Sequence, residues 1–186
     1  IRDRSLQADL ASHFAAAVDL GAELLNCIAR SLPEAVTAEL TEPLRDMIHG
    51  SEQSMLRVLH YPPVPTGRSV LRAAPHEDIN LLTLLPAADG PGLELQLRSG
   101  EWISVPHSPG QLIVNIGDML QEATDGYLPS TSHRVATPDT EQPAVSRMSL
   151  PLFLHPRPDV VLSSRYTARQ YLMQRLDELG VARRER

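Results

Sequence analysis

From Met55 onward the chain is built from short apolar or alternating runs, each followed by residues that favour turns. The runs cover residues 55–61, 80–85, 93–97, 102–105 and 111–115. The turn formers between them are Pro62-Pro63, the stretch 88–92, Ser99-Gly100 and the stretch 108–110. Runs this short are typical of strands, and their spacing predicts an antiparallel sandwich or barrel. The segment 93–105 is the clearest hairpin.

Both ends of the chain have a different pattern, in which apolar residues recur three or four positions apart. This spacing predicts an amphipathic helix over 5–32, a second helical segment over 33–48 with a break or kink at Pro43, and a closing helix over 166–180. We therefore expect a mainly β fold with flanking helices. Its expected parts are a helical scaffold segment over 1–50, a β core over 51–160, and a C-terminal helix over 161–186 that belongs to the same domain.

The composition narrows the class of function. The chain has 186 residues, 42% hydrophobic and 22% charged, so one globular domain is expected. A net charge of −6 and the absence of any Lys/Arg cluster with interleaved aromatics, in a chain with only 4% aromatic residues, argue against a nucleic-acid partner and favour a small-molecule substrate. Cys27 is the single cysteine, which excludes an internal disulfide and a zinc finger. Because no long apolar run or signal pattern occurs, we expect no membrane partner and predict a cytoplasmic protein; the oligomeric state stays open.

His76, Asp78 and His133 are the residue types of a metal site. Two histidines and one carboxylate form the facial set that holds Fe(II) in non-haem oxygenases and leaves three coordination positions open. If His76 and Asp78 lie on one strand, their i, i+2 spacing points both to one face, and Glu77 points away. His133 lies in the β-branched and polar stretch 129–136, which predicts a second strand. The third ligand is therefore expected to reach across the fold.

Two further polar residues follow near the end of the predicted β region. Arg147 and Ser149 are two positions apart at the start of the run 146–154, so both face one side of a strand. An arginine there is costly to bury without an anion, and its forked guanidinium suits a carboxylate. Together with the metal set, this pair predicts a metal-centred oxidation site with an acid-binding residue beside it.

Several segments, in their order along the chain, resemble one protein family. They are Tyr61-Pro-Pro, Pro75-His-Glu-Asp-Ile-Asn, Pro91-Gly-Leu-Glu-Leu, Gly100-Glu-Trp-Ile-Ser-Val-Pro, Pro109-Gly-Gln-Leu-Ile-Val-Asn-Ile-Gly-Asp and Ser132-His-Arg-Val. This series resembles the isopenicillin N synthase-like branch of the Fe(II)/2-oxoglutarate-dependent dioxygenases. The resemblance covers about Met55 to Arg157 and rests on several independent segments rather than on one triplet.

The resemblance implies a double-stranded β-helix, a cupin-like jelly roll, with helices packed on its major sheet. It implies that His76, Asp78 and His133 bind Fe(II) at the open end of this fold. Members of the family usually carry a longer N-terminal region than this chain has, including part of the substrate pocket. The primary substrate is therefore not predicted from the sequence.

The same resemblance implies that Arg147 pairs with the distal carboxylate of 2-oxoglutarate, and that Ser149 and Tyr61 form hydrogen bonds to the same group. The implied function is hydroxylation, desaturation or cyclisation of a small organic substrate, with O2 and 2-oxoglutarate as co-substrates. One alternative stays open: an oxidase like isopenicillin N synthase has the same iron ligands, and its Arg-x-Ser pair holds a substrate carboxylate without 2-oxoglutarate. A second alternative is a non-catalytic jelly-roll module that binds a metal or a small acid.

Four other polar residues lie close to these motifs in the sequence. Asn80 and Thr131 have the strand parity of the neighbouring ligands and are candidates for the wall of the pocket. Asn115 and Asp118, in Asn-Ile-Gly-Asp, are predicted to organise a turn through hydrogen bonds between side chain and backbone.

Overall fold

The computed structural model describes residues 4–65, 70–137 and 145–181. The helices in these ranges are α1 (Arg4–Ser31), α2 (Glu34–Glu39), α3 (Leu44–Met47), α4 (Asp118–Ala123) and α5 (Ala168–Glu178). Pro33 and Pro43 stand at the N-caps of α2 and α3, where a missing N–H is tolerated because the first N–H groups have no partner within the helix. The second predicted helical segment is thus divided at Pro43. None of the helices in the described ranges is long and apolar enough to cross a membrane.

The strands of the described residues are short and pair in antiparallel fashion. They are β1 (Met55–Leu56), β2 (Leu59–Tyr61), β3 (Leu71–His76), β4 (Leu82–Pro86), β5 (Leu93–Gln96), β6 (Trp102–Ser104), β7 (Leu112–Ile116), β8 (His133–Ala136), β9 (Arg147–Ser149) and β10 (Leu152–Leu154). They form sheets with the strand orders β1-β10-β4-β7, β2-β9 and β3-β8-β5-β6. The predicted mainly β fold with flanking helices is confirmed.

One ladder joins the first two sheets. β1 pairs with β10 and β2 with β9 in the same register, from Met55 opposite Phe153 to Tyr61 opposite Arg147. Between the two pairs, the Arg57 N–H donates to the Pro151 carbonyl at 3.0 Å. Pro151 has no N–H to return, so regular pairing stops on either side of it. The ladder nevertheless continues without a slip along both segments.

The sheet β1-β10-β4-β7 separates the apolar core from a cavity between the sheets. Side chains along its strands point alternately to the two faces of the sheet. Thr83 on β4 and Phe153 on β10 therefore line the cavity, while their neighbours in sequence point to the helices. The core cluster joins these neighbours to side chains of α1 and α3, and its fully buried members include Leu25, Leu44, Met47, Leu82, Leu152 and Leu154. One face of the sheet therefore stabilises the fold, and the other is available for chemistry.

The hairpin and the C-terminal helix agree with the prediction, whereas α4 is not predicted from the sequence. β5 and β6 pair as expected, with Gly100 in the left-handed region at φ 88°. The closing helix is present as α5, which starts with a capping box between Thr167 and Gln170. The turn predicted at Asn115 and Asp118 is wrong, because Asn115 lies on β7 and Asp118 begins α4. A helix of 6 residues is too short to show a helical period in the sequence.

Gly21 provides a test of how α1 packs on the sheet. A Cβ atom at this position would overlap the Cδ1 atom of Leu154, a fully buried side chain of β10. We expect Gly21→Val to lower the free energy of unfolding by about 2 kcal/mol, because the core has to shift to accept the extra atoms. Denaturant titration measures this change. Ala11→Val, on the exposed side of α1, is the matched control and should cost less than about 1 kcal/mol; equal losses for both variants would contradict the packing.

Candidate active site

Three side chains that can ligate a metal converge at one end of the cavity. The Oδ1 atom of Asp78 lies 3.8 Å from His76 Nε2 and 3.7 Å from His133 Nε2. The three ligand atoms lie within 4.8 Å of one another, a separation that one ion can bridge. In the part of the chain that the structure describes, no other three metal-ligating side chains come this close. The structure thus brings together the three residues that the sequence predicts as ligands.

Strand pairing places the two imidazoles side by side. His76 ends β3 and stands directly opposite His133, the first residue of β8. The register shifts between Ala73 and His76, where Pro75 cannot donate to the ladder. The ring centroids are 4.3 Å apart. The expectation that His133 reaches across the fold is wrong, because β8 is the neighbour of β3.

Asp78 reaches the histidines from a loop and not from a strand. β3 ends at His76, so the i, i+2 strand spacing is not what aligns the carboxylate. Instead, the Asp118 N–H at the start of α4 donates to the Asp78 carbonyl at 2.8 Å. Glu77 points away from the site, as predicted, and its carboxylate lies 3.9 Å from the guanidinium of Arg175 on α5. Contacts from two helices therefore hold this loop.

The same arginine also compensates a buried acid. Arg175 Nε lies 3.2 Å from Asp118 Oδ2, and the Asp118 side chain is almost fully buried. Burial raises the pKa of Asp118, while a hydrogen bond with Ser130 and the charge of Arg175 oppose that rise. The C-terminal helix thereby supports the segment that carries Asp78.

The backbone selects which nitrogen of each histidine is free. His76 Nδ1 lies 2.7 Å from the Ala74 carbonyl oxygen, and His133 Nδ1 lies 3.1 Å from that of Thr131. A carbonyl oxygen can only accept, so in the neutral ring the proton belongs on Nδ1. The lone pair is then on Nε2, the nitrogen that faces Asp78 in both residues. This is the arrangement that metal-ligating histidines use.

The two oxygens of Asp78 have different surroundings. Thr83 Oγ1 donates to Oδ2 at 2.6 Å, and Asn115 Nδ2 donates to the same oxygen at 3.3 Å. Asn80 Nδ2 in turn donates to Thr83 Oγ1 at 2.9 Å, which directs the single hydroxyl proton of Thr83 to the carboxylate. Oδ1 is left facing the two histidines. The relay Asn80–Thr83–Asp78 therefore orients one oxygen for a metal and occupies the other.

Thr83 is not among the residues predicted from the sequence, and Asn115 is predicted there only to organise a turn. Each is the polar residue of an otherwise apolar strand, which is the signal in the sequence that could have identified them. The structure pairs the two across β4 and β7. Asn80 does not line the cavity, since it is fully buried behind Thr83. It packs against Gly117, where any side chain would overlap it. Thr131 contributes its carbonyl to His133.

Arg147, Ser149 and Tyr61 lie together in the wall of the same cavity, as predicted. Arg147 is only 3% exposed, and burial lowers the pKa of its guanidinium. Its Nε donates to the Gly90 carbonyl at 3.1 Å and its guanidinium carbon lies 5.6 Å from the centre of the Tyr61 ring. Its Nη1 atom is buried without a hydrogen-bond partner among the described residues. A buried guanidinium with an unused donor is suited to an anionic ligand.

One cavity of about 320 Å³ contains both groups of residues. It has a closed end at the buried Arg147 and a more open side at His76, whose side chain is 46% exposed. Between them its wall is mostly apolar, with Leu85, Leu93, Val135 and Phe153 among its members. A wider hollow of about 530 Å³ on the outer face of β5, β6 and β8 contains none of the predicted site residues. The smaller cavity is therefore the candidate active site.

Comparison with known proteins agrees with this geometry. Residues 52–156 match the family model of the 2OG-Fe(II) oxygenase superfamily. The crystal structure of a Shewanella oneidensis protein assigned as an oxygenase superposes with a TM-score of 0.89 at 51% sequence identity, covering 97% of this chain and 68% of that one. The 2-oxoglutarate-dependent dioxygenase htyE of Aspergillus rugulosus is 32% identical over 168 residues, which are 85% of this chain and 49% of the relative.

A third relative was solved with its co-substrate. AtDAO1 of Arabidopsis thaliana, a dioxygenase for auxin oxidation in a binary complex with 2-oxoglutarate, has a TM-score of 0.58 at 27% identity and covers 79% of this chain and 50% of that one. The chain spans less than half the length of the curated relatives it matches. The likeness to solved oxygenases confirms the predicted jelly-roll core. Because the matched segment contains the His76, Asp78 and His133 cluster together with Arg147, the chain belongs to the 2OG-Fe(II) oxygenase superfamily.

Proposed function

We propose that the chain carries the active site of an Fe(II)- and 2-oxoglutarate-dependent oxygenase that oxidises a small organic substrate by hydroxylation, desaturation or cyclisation. The observation that carries this proposal is the sharing of one cavity by the His76, Asp78 and His133 cluster and the buried, partly unpaired guanidinium of Arg147. A metal site alone would not require that guanidinium, and an acid site alone would not require the metal ligands.

The donor set fits ferrous iron. We assign His76 Nε2, His133 Nε2 and Asp78 Oδ1 as the ligands, two imidazole nitrogens and one carboxylate oxygen that leave coordination positions open. When bound, Fe(II) with 2-oxoglutarate and O2 supplies the oxidising chemistry, and 2-oxoglutarate leaves as succinate and carbon dioxide. The chain's own residues keep the ligand nitrogens in the correct tautomer and orient the carboxylate.

The co-substrate assignment rests on the opposite end of the cavity. We assign Arg147 as the partner of the distal carboxylate of 2-oxoglutarate, with Ser149 and Tyr61 beside it in the wall. The guanidinium fork suits a carboxylate, and a buried location strengthens the pair. The mostly apolar wall between the two ends suits the carbon chain of the co-substrate.

The relatives favour 2-oxoglutarate over the two alternatives. An oxidase that lacks this co-substrate would use Arg147 and Ser149 for a carboxylate of the substrate, but htyE and AtDAO1 are both described with 2-oxoglutarate. A non-catalytic module that binds a metal or a small acid would need only one of the two groups, whereas here the ligand cluster and Arg147 line one cavity.

We propose that the ranges 1–50, 51–160 and 161–186 form one domain in the cytoplasm, with a small molecule as substrate. The core cluster of the described residues supports the domain assignment, because it contains Leu25 of α1, Leu82 of β4 and Ala168 of α5.

Arg147 gives the direct test of the function. We expect Arg147→Gln to weaken 2-oxoglutarate binding by about 10- to 100-fold, because the carboxylate loses its charged partner. An anaerobic titration of the Fe(II)-loaded chain, followed by its visible charge-transfer band, measures this affinity. Arg98→Gln, on the exposed β5–β6 turn, is the control and should bind normally. Unchanged affinity in Arg147→Gln would refute the assignment, and a wild-type chain that gives no band would favour the oxidase.

The metal ligands are tested separately. His76→Ala and Asp78→Ala should each abolish Fe(II) binding, because each removes one of the three protein ligands. Titration with Fe(II) under nitrogen measures the loss. A variant that keeps wild-type affinity would exclude the substituted residue as a ligand.

Thr83 tests the orientation of Asp78. We expect Thr83→Val to weaken Fe(II) binding by about tenfold, since the shape is kept while the hydrogen bond to Asp78 is lost. Thr83→Ser keeps the hydroxyl and should retain most of the affinity. The same anaerobic titration compares the two variants with the wild type. If valine and serine behave alike, the hydroxyl has no part in holding the carboxylate.

A further inference from the structure

The cavity wall contains more positive charge than the proposed chemistry uses. Among the described residues, three guanidinium groups, those of Arg57, Arg72 and Arg147, line it together with one carboxylate, that of Asp78. None of the three arginines forms an ion pair with an acid in the described ranges. The chain as a whole has a net charge of −6, so this concentration of cations is local.

Two of these arginines already have partners. Arg147 is assigned above to the distal carboxylate of 2-oxoglutarate. Arg72 Nη2 donates to the carbonyls of Val145 at 2.6 Å and Pro62 at 3.2 Å, so it ties together the segments that follow β2 and precede β9. Arg57 is different, because within the described residues its side chain gives only a weak hydrogen bond, from Nε to the sulfur of Met55.

Arg57 lies in the cavity wall beside Phe153. Its guanidinium carbon lies 5.3 Å from the centre of the Phe153 ring, a cation–π contact. Phe153 is the cross-strand partner of Thr83, the residue that donates to Asp78. Arg57 is itself exposed, so a ligand in the cavity can reach its guanidinium.

We propose that the primary substrate is a small organic acid whose carboxylate is bound by Arg57. This inference rests on the proposed function, since it concerns the second molecule in the same cavity. A divalent metal and a dianionic co-substrate cancel in charge, so their binding leaves the positive excess of the wall in place. A carboxylate on the substrate offsets that excess and uses the guanidinium fork.

The Phe153 ring has a positioning role in this site. Its contact restricts the guanidinium of a long, flexible side chain, which lowers the entropy lost when an anion binds. An acid held by Arg57 would lie beside Phe153, the cross-strand partner of Thr83, in the cavity that also contains His76 and His133.

The test uses the chain loaded with Zn(II) and saturating 2-oxoglutarate, which prevents turnover. A panel of small acids from butanoate to 3-phenylpropanoate is compared, each with its carboxamide, and binding is read by saturation-transfer NMR. We expect at least one acid to bind more tightly than its amide. Arg57→Gln should remove this preference with a loss of about tenfold, Arg57→Lys should retain part of it, and Arg98→Gln should change nothing.

Failure of this inference is distinguishable from failure of the proposed function. Titrations with metal and with 2-oxoglutarate are performed on the same variants, and saturation transfer itself requires no metal. The inference is overturned if no acid of the panel binds more tightly than its amide, or if Arg57→Gln keeps the preference. It is also overturned if the acid is lost in Arg147→Gln instead, or if Arg57→Gln weakens 2-oxoglutarate as much as Arg147→Gln does, since Arg57 or the acid then belongs to the co-substrate site.

Discussion

The pairing of β3 with β8 is the constraint on which the site depends. It places His76 opposite His133, so the two imidazoles are neighbours before any metal is considered. The third ligand is added by a loop, whose backbone is tied to α4 and whose side chain is oriented by Thr83 and Asn115. Strand pairing positions the two histidines, and hydrogen bonds position Asp78. The protein itself therefore organises the cluster of metal-ligating side chains, without a bound ligand.

The sheet that carries Thr83 and Phe153 has a double role. Its outer face packs against α1 and α3 through leucines that are fully buried, and its inner face carries the polar and aromatic residues of the cavity. Because side chains alternate along a strand, stability and chemistry are separated by one position in the sequence. Gly21 allows the helix to approach closely enough for Leu154 to be enclosed, so the inner face is backed by a packed layer.

The sequence is sufficient for the parts of this structure that depend on residue type and local pattern. The short strands, the hairpin around Gly100 and the C-terminal helix follow from the positions of turn-forming residues and from the periodicity of apolar residues. The residues His76, Asp78, His133 and Arg147 follow from motif order. What the sequence does not contain is the pairing of distant strands. The contacts of Thr83 and Asn115 with Asp78 depend on the pairing of β4 with β7, so they become visible only in three dimensions. The same is true of the place of His133 beside β3.

The single register shared by β1–β10 and β2–β9 limits how this cavity can vary. Arg57 and Tyr61 belong to one strand segment of this ladder, and Phe153 and Arg147 belong to the paired segment. Inserting or deleting one residue in either segment would turn every following side chain to the opposite face. Such a change would remove the aromatic and cationic groups from the cavity at once. Divergence of ligand preference in this part of the wall is therefore expected to proceed by exchange of side chains at constant segment length.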